Sequence, residues 1–121
     1  MSRVTISNSS GSTIGYVDGN YIMNGSGSTI GRVDSSAIMN SSGSTIGRFS
    51  SGTVSNRSGS TIGYFRSNCA SNRSGSTIGY ARSGYFTNSS GSTIGRYSGD
   101  LSDIQFVAVL GLLFDFWDSF D

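Results

Sequence analysis

One position of this chain is filled only by tyrosine or arginine, and it returns every sixteen residues: Tyr16, Arg32, Arg48, Tyr64, Tyr80 and Arg96. A tyrosine ring offers a flat face to a sugar or a base, and a guanidinium stacks on such faces or clasps an anion. The chemistry of this belt is binding, with a glycan or similar ligand as the occupant. A second set of charges sits in the turns. Asp18 and Asp34 hold a turn position that later copies fill with Arg66 and Arg82, and Arg57 and Arg73 add positive charge at the other turns of the later copies. Around a ring, this order makes one side acidic and the other basic. Unlike patches on identical molecules join head to tail into an open filament.

Other chemistry is excluded by what the chain lacks. It contains no His, Glu, Lys or Pro, so the commonest general bases and metal ligands are missing. Asp18 and Asp34 are the sole acids before residue 100, and both read as turn residues. Cys69 is alone, which rules out an internal disulfide and a multi-cysteine metal site. The expectation is no catalytic residue, no metal and no cofactor. Nucleic acid is not an expected partner either, because the arginines are dispersed and offset by an acidic tail. The six Asn-x-Ser triplets, Asn8-Ser9-Ser10 and its equivalents, match a glycosylation acceptor, but turn chemistry accounts for them.

The belt must be positioned by a repeating element. Gly-Ser-Thr-Ile-Gly begins at Gly11, Gly27, Gly43, Gly59, Gly75 and Gly91, with an Asn three residues ahead of every copy. A fixed sixteen-residue period without insertion means one small unit used six times, stable only against its neighbours. With 28 Ser and 18 Gly among 121 residues, each unit has little volume for a core of its own. The unit reads as a β-hairpin. In residues 18–33, Asn20 to Met23 is one strand, Asn24-Gly25-Ser26-Gly27 the turn, and Ser28 to Val33 the next strand. A second turn joins the units, as at Asp18-Gly19-Asn20 and Ser50-Ser51-Gly52.

Ile and the next apolar residue lie three apart in the second strand, as in Ile14 and Val17 or Ile62 and Phe65, whereas strict alternation would place them on opposite faces. A bulge at the intervening Gly returns both to one face and turns the Tyr/Arg belt outward. The expected core is then the six Ile, the set Val17, Val33, Phe49, Phe65, Ala81 and Tyr97, and the partner set Ile6, Ile22, Ile38, Val54, Ala70 and Phe86.

Two all-β architectures satisfy this pattern. One is a ring or barrel-like meander of six hairpins. The other is a β-solenoid with one coil per repeat, which would stack Arg32 on Arg48, Arg57 on Arg73 and Arg66 on Arg82 at about 4.8 Å. The paired turn signals favour the ring.

A ring of twelve strands encloses more space than its own side chains fill, since about eight strands already close around a filled interior. Residues 100–121 form a separate apolar segment with acidic flanks, after a repeat domain of residues 1–99. The repeats hold eight Arg and two Asp, the tail five Asp and no base, so the two parts attract each other. Ser102-Asp103-Ile104-Gln105 has the spacing of a helical capping box, and the tail from Leu101 to Phe120 is apolar all round: a helical central plug. An extended strand through the centre is the alternative. The uninterrupted apolar run, Phe106 to Phe114, is too short to span a bilayer, which needs about 20 residues.

The repeats, for example Gly52-Thr53-Val54-Ser55-Asn56-Arg57-Ser58-Gly59-Ser60-Thr61-Ile62-Gly63-Tyr64-Phe65, resemble those of the bacterial five-fold β-flower proteins, and so does the Phe-rich end. The chain departs from that family in having six units and in Gly11 and its equivalents where an aromatic is frequent, and it reads as without the export signal expected there. The resemblance implies a radial all-β fold and an exported protein, with no activity or catalytic residue to carry over. Met1-Ser2-Arg3-Val4 has no apolar run and reads as lacking a signal peptide, which leaves the cytosol and a mature exported form both open. The functional expectation is a non-catalytic, self-associating structural protein of an extracellular filament or surface layer. The alternative is a glycan-binding module using the belt.

Overall fold

The computed structural model describes residues 3–114 and Trp117. Its strands are β1 (Arg3–Asn8), β2 (Thr13–Asp18), β3 (Tyr21–Asn24), β4 (Thr29–Asp34), β5 (Ala37–Asn40), β6 (Thr45–Ser50), β7 (Thr53–Asn56), β8 (Thr61–Arg66), β9 (Cys69–Asn72), β10 (Thr77–Arg82), β11 (Tyr85–Asn88) and β12 (Thr93–Ser98), followed by helix α1 (Asp103–Leu112). Each strand pairs antiparallel with its sequence neighbours. β12 returns to β1 through Thr5 opposite Ser98 and Asn8 opposite Gly95, closing the barrel. The solenoid is thereby excluded, because its strands would pair in parallel with the next coil and leave two open ends.

Two kinds of turn make the meander. At one rim, two-residue turns join the hairpins: Gly19-Asn20, Ser35-Ser36, Ser51-Gly52, Ser67-Asn68 and Ser83-Gly84. Their first residue is left-handed, with φ of 62° at Gly19, 57° at Ser35, 54° at Ser51, 52° at Ser67 and 56° at Ser83. This primed-turn geometry matches strand twist but strains a residue carrying a Cβ. Ser35→Gly is therefore expected to stabilise the protein by about 0.5 kcal/mol, and Ser35→Val to destabilise it by about 1 kcal/mol or more. Opposite shifts of the urea midpoint test this; a lower midpoint for the Gly variant contradicts it.

At the other rim every loop is built the same way. Oδ1 of Asn8 accepts from the amides of Ser10 and Ser12, both at 3.0 Å, while its carbonyl accepts from Gly11 N at 3.0 Å. Asn24, Asn40, Asn56, Asn72 and Asn88 repeat this. Gly11 at φ +91° closes the loop. The side chain replaces a backbone acceptor for two turn amides, which gives a physical reason for Asn at this place in all six copies.

The bulge lies in the expected strand, but its extra residue differs. Ile6 faces Gly15 and Ser7 faces Thr13, leaving Ile14 unpaired, and the slip recurs in five further pairs. The added residue is thus Ile, not Gly. The Gly keeps its alternation, points inward and has no positive φ. Its presence answers a need for space, not for backbone freedom.

The three expected inward sets form the core. Ile6, Ile22, Ile38, Val54, Ala70 and Phe86 are all fully buried; Val17, Val33, Phe65, Ala81, Ile46 and Ile62 are buried; Phe49, Tyr97 and the other repeat Ile pack against them. α1 lies within this same core. Ser102 caps it, accepting from Gln105 N, while Gln105 Oε1 accepts from Ser102 N at 2.8 Å. Gln105 Nε2 donates to Gly19 O at 2.7 Å, fixing the helix to the two-residue-turn rim. Phe106, Val107, Ala108, Val109 and Leu110 are buried on every side of the helix. The Phe106 ring meets those of Phe65, Phe86 and Tyr97 at centroid distances of 5.7, 6.2 and 5.1 Å. The helix is shorter than the apolar run implies and ends at Leu112. Of the later residues expected in the plug, Phe116 and Phe120 lie outside the described residues.

The tail is seated on the motif glycines. A Cβ on Gly15 would come within 2.7 Å of Leu113, on Gly31 within 2.7 Å of Leu112, on Gly63 within 2.5 Å of Trp117 and on Gly95 within 2.6 Å of Phe114. Four bulky side chains therefore rest on bare backbone around one level of the barrel. Trp117 Nε1 also donates to Val107 O at 3.0 Å.

Candidate binding surface

With Gly15 and its equivalents facing inward, the next residue of each strand faces out. The belt is therefore external: Arg32, Arg48 and Arg96 are exposed, and Tyr16, Tyr64 and Tyr80 half-buried. Each belt tyrosine carries a guanidinium on its ring: Arg3 over Tyr16 at 4.7 Å, Arg66 over Tyr64 at 5.1 Å and Arg82 over Tyr80 at 4.6 Å. The belt also shields apolar surface, since Met23 stands opposite Tyr16 and Met39 opposite Arg32, and both are nearly buried on the outer face.

The barrel does not gather the turn charges into one cluster. Asp18, Asp34, Arg66 and Arg82 end β2, β4, β8 and β10 at the two-residue-turn rim, while Arg57 and Arg73 follow β7 and β9 at the other rim. Arg66 and Arg82 are the two guanidiniums lying back over Tyr64 and Tyr80.

Two functional candidates escape a reading of the period alone. Among the described residues Tyr21 and Tyr85, first residues of β3 and β11, are the exposed large hydrophobics, at 47% and 44% exposure. Hairpin register supplies the signal that finds them. Tyr21 stands between Asp18 and Arg32, and Tyr85 between Arg82 and Arg96. Arg96 lies over the Tyr85 ring at 5.5 Å. On one side of Tyr85 is a groove of about 400 Å³ lined by Tyr80, Arg82 and Thr87; on the other, one of about 320 Å³ lined by Arg96, Ser7 and Ser98. The grooves beside Tyr21 measure about 240 and 190 Å³, and Asp34 lines the smaller.

The Cys69 thiol contacts Thr77 Oγ1 at 3.6 Å. Among the described residues no group of three or more His, Cys, Asp or Glu is placed to hold a metal. No helix of the described residues is long and apolar enough to cross a membrane.

The family model described as 5-fold beta-flower protein matches residues 3–115. No curated protein and no solved structure matches the chain. The match takes in all twelve strands and α1, and here the flower closes with six units instead of five.

Proposed function

We propose that this chain, which belongs to the five-fold β-flower family, is a non-catalytic structural protein that associates with its own copies, as a subunit of an extracellular filament or surface layer. The observation that carries this reading is the diametric placement of opposite charge. In a closed order of twelve strands, β2 lies six places from β8 and β4 six places from β10. Asp18 therefore faces away from Arg66 across the barrel, and Asp34 away from Arg82. All four stand at the same rim, with Arg3 in register beside Asp18, so the side bearing Asp18 and Asp34 meets the side bearing Arg66 and Arg82 of the next copy without tilting. Such a contact is heterologous and does not close on two copies. Closure of the barrel also removes edge-to-edge strand pairing, leaving side chains as the means of association.

The test is sedimentation of the wild type beside Asp18→Arg combined with Asp34→Arg. Association is expected in the wild type, weakening as salt shortens the screening length below ~10 Å. The double variant is expected to associate about tenfold more weakly with its melting point nearly unchanged, since each surface substitution costs under about 0.5 kcal/mol. A wild type that stays monomeric at high concentration refutes the proposal, as does a variant that assembles equally well.

A further inference from the structure

The outer face of β10–β12 differs from the rest of the barrel in a way the repeat itself exposes. Reading across the strands, each unit presents a belt residue, a rim residue, the first residue of the next strand and the next belt residue. Only the last unit fills these places with Tyr80, Arg82, Tyr85 and Arg96, an alternation of ring and guanidinium. The nearest relative within the molecule is Tyr16, Asp18, Tyr21 and Arg32, identical in aromatics but with a carboxylate where Arg82 stands. The other units lack the exposed tyrosine, having Thr5, Ala37, Thr53 and Cys69 in its place.

We infer that the β10–β12 face is a binding site for an acidic carbohydrate, a chain of uronic acid residues. Stacking needs an exposed ring, and Tyr85 is exposed enough to offer one. The two grooves flanking it, about 400 and 320 Å³, are each of a size to take one or two sugar rings. Their walls carry sugar-hydroxyl partners in Thr87 and Ser98. Arg82 and Arg96 stand on either side of the ring in register, each a planar fork matched to a carboxylate. No carboxylate lines either groove among the described residues, and the nearest acid in sequence, Asp100, lies two residues beyond Ser98. The pseudo-equivalent face at Tyr21 has the smaller grooves and an acid in register with the ring, so it rejects the same ligand. A nucleic acid is disfavoured because two guanidiniums neutralise too few phosphates.

The test is titration calorimetry of the full chain with a galacturonic acid tetrasaccharide, and separately with the uncharged galactose tetrasaccharide. The acidic chain is expected to bind at least about tenfold more tightly than the neutral one. Tyr85→Ala and Arg82→Asp are each expected to weaken it about tenfold or more, the second by recreating the arrangement around Tyr21. Tyr21→Ala is expected to change affinity less than about twofold. An unaltered far-ultraviolet spectrum and melting point confirm that each variant is folded. Three results overturn the site: no binding of the acidic chain, equal loss in the Tyr21 and Tyr85 variants, or equally tight binding of a short single-stranded oligonucleotide, which would mean charge attraction alone.

Discussion

Removal of residues 101–121 is expected to abolish the folded barrel. Twelve strands enclose a space that the repeats do not fill, because one inward position per repeat is glycine and others are as small as Ala70 and Ala81. α1 and Trp117 fill it. Burying Phe106, Val107, Val109, Leu110 and Trp117 is worth roughly 1.5–3 kcal/mol apiece as an upper estimate. Their sum is comparable to the entire stability of a domain this size, about 5–15 kcal/mol. Deletion also uncovers the inward faces of Ile6, Ile22, Ile38 and Val54, now fully buried. The truncated chain is expected to be unfolded or aggregated by circular dichroism and sedimentation. In the intact protein Trp117 is expected to emit at short wavelength and resist acrylamide. Truncated repeats that stay soluble, with an unchanged spectrum and melting point, would show that the shell stands without its plug.

How much of this was legible depends on whether a feature is local or requires closure. The Asn loops, the two-residue turns and the Ser102–Gln105 capping box are built from residues within four of each other, and the sequence displays them directly. The inward sets follow from the period once a bulge is allowed. What the pattern assigns wrongly is the unpaired residue of the bulge, which is Ile14 and not Gly15. Ile14 and Gly15 both restore the phase, and only the partner strand, with Ile6 opposite Gly15, decides between them. The role of that glycine was hidden for a related reason. Its constraint comes from Leu113, Trp117 and their neighbours across the barrel, and spacing along the repeat carries no trace of them. Tyr21 and Tyr85 do not stand out along the chain, where the sixteen-residue period displays the belt instead. Their significance lies across it, in the register that sets an Asp beside one ring and an Arg beside the other.

Gly63→Ala is expected to cost far more than any neighbouring change, for a reason the fold makes specific. A Cβ at Gly63 would meet Trp117 at 2.5 Å and the Ser71 carbonyl oxygen at 2.6 Å. The carbonyl belongs to the barrel wall and the indole is held by its bond to Val107 O, so neither yields cheaply. Overpacking of this kind costs about 1–3 kcal/mol. Two controls separate packing from backbone strain. Ser44→Ala, on an exposed loop residue, is expected to stay within about 0.5 kcal/mol of wild type. Gly59→Ala puts a Cβ at φ +89° with nothing within 4 Å, so it tests left-handed strain without a clash. Both glycine variants should lower the melting point, but only Gly63→Ala should shift Trp117 emission, because only it displaces the ring. The decisive measurement is a double-mutant cycle with Trp117→Leu, whose smaller side chain vacates the space above Gly63. If the indole is what Gly63 accommodates, Gly63→Ala costs less once the indole has been removed, with a coupling of about 1 kcal/mol or more. Additive losses would place the penalty entirely on the Ser71 carbonyl, and the glycine would then serve the sheet and not the tail.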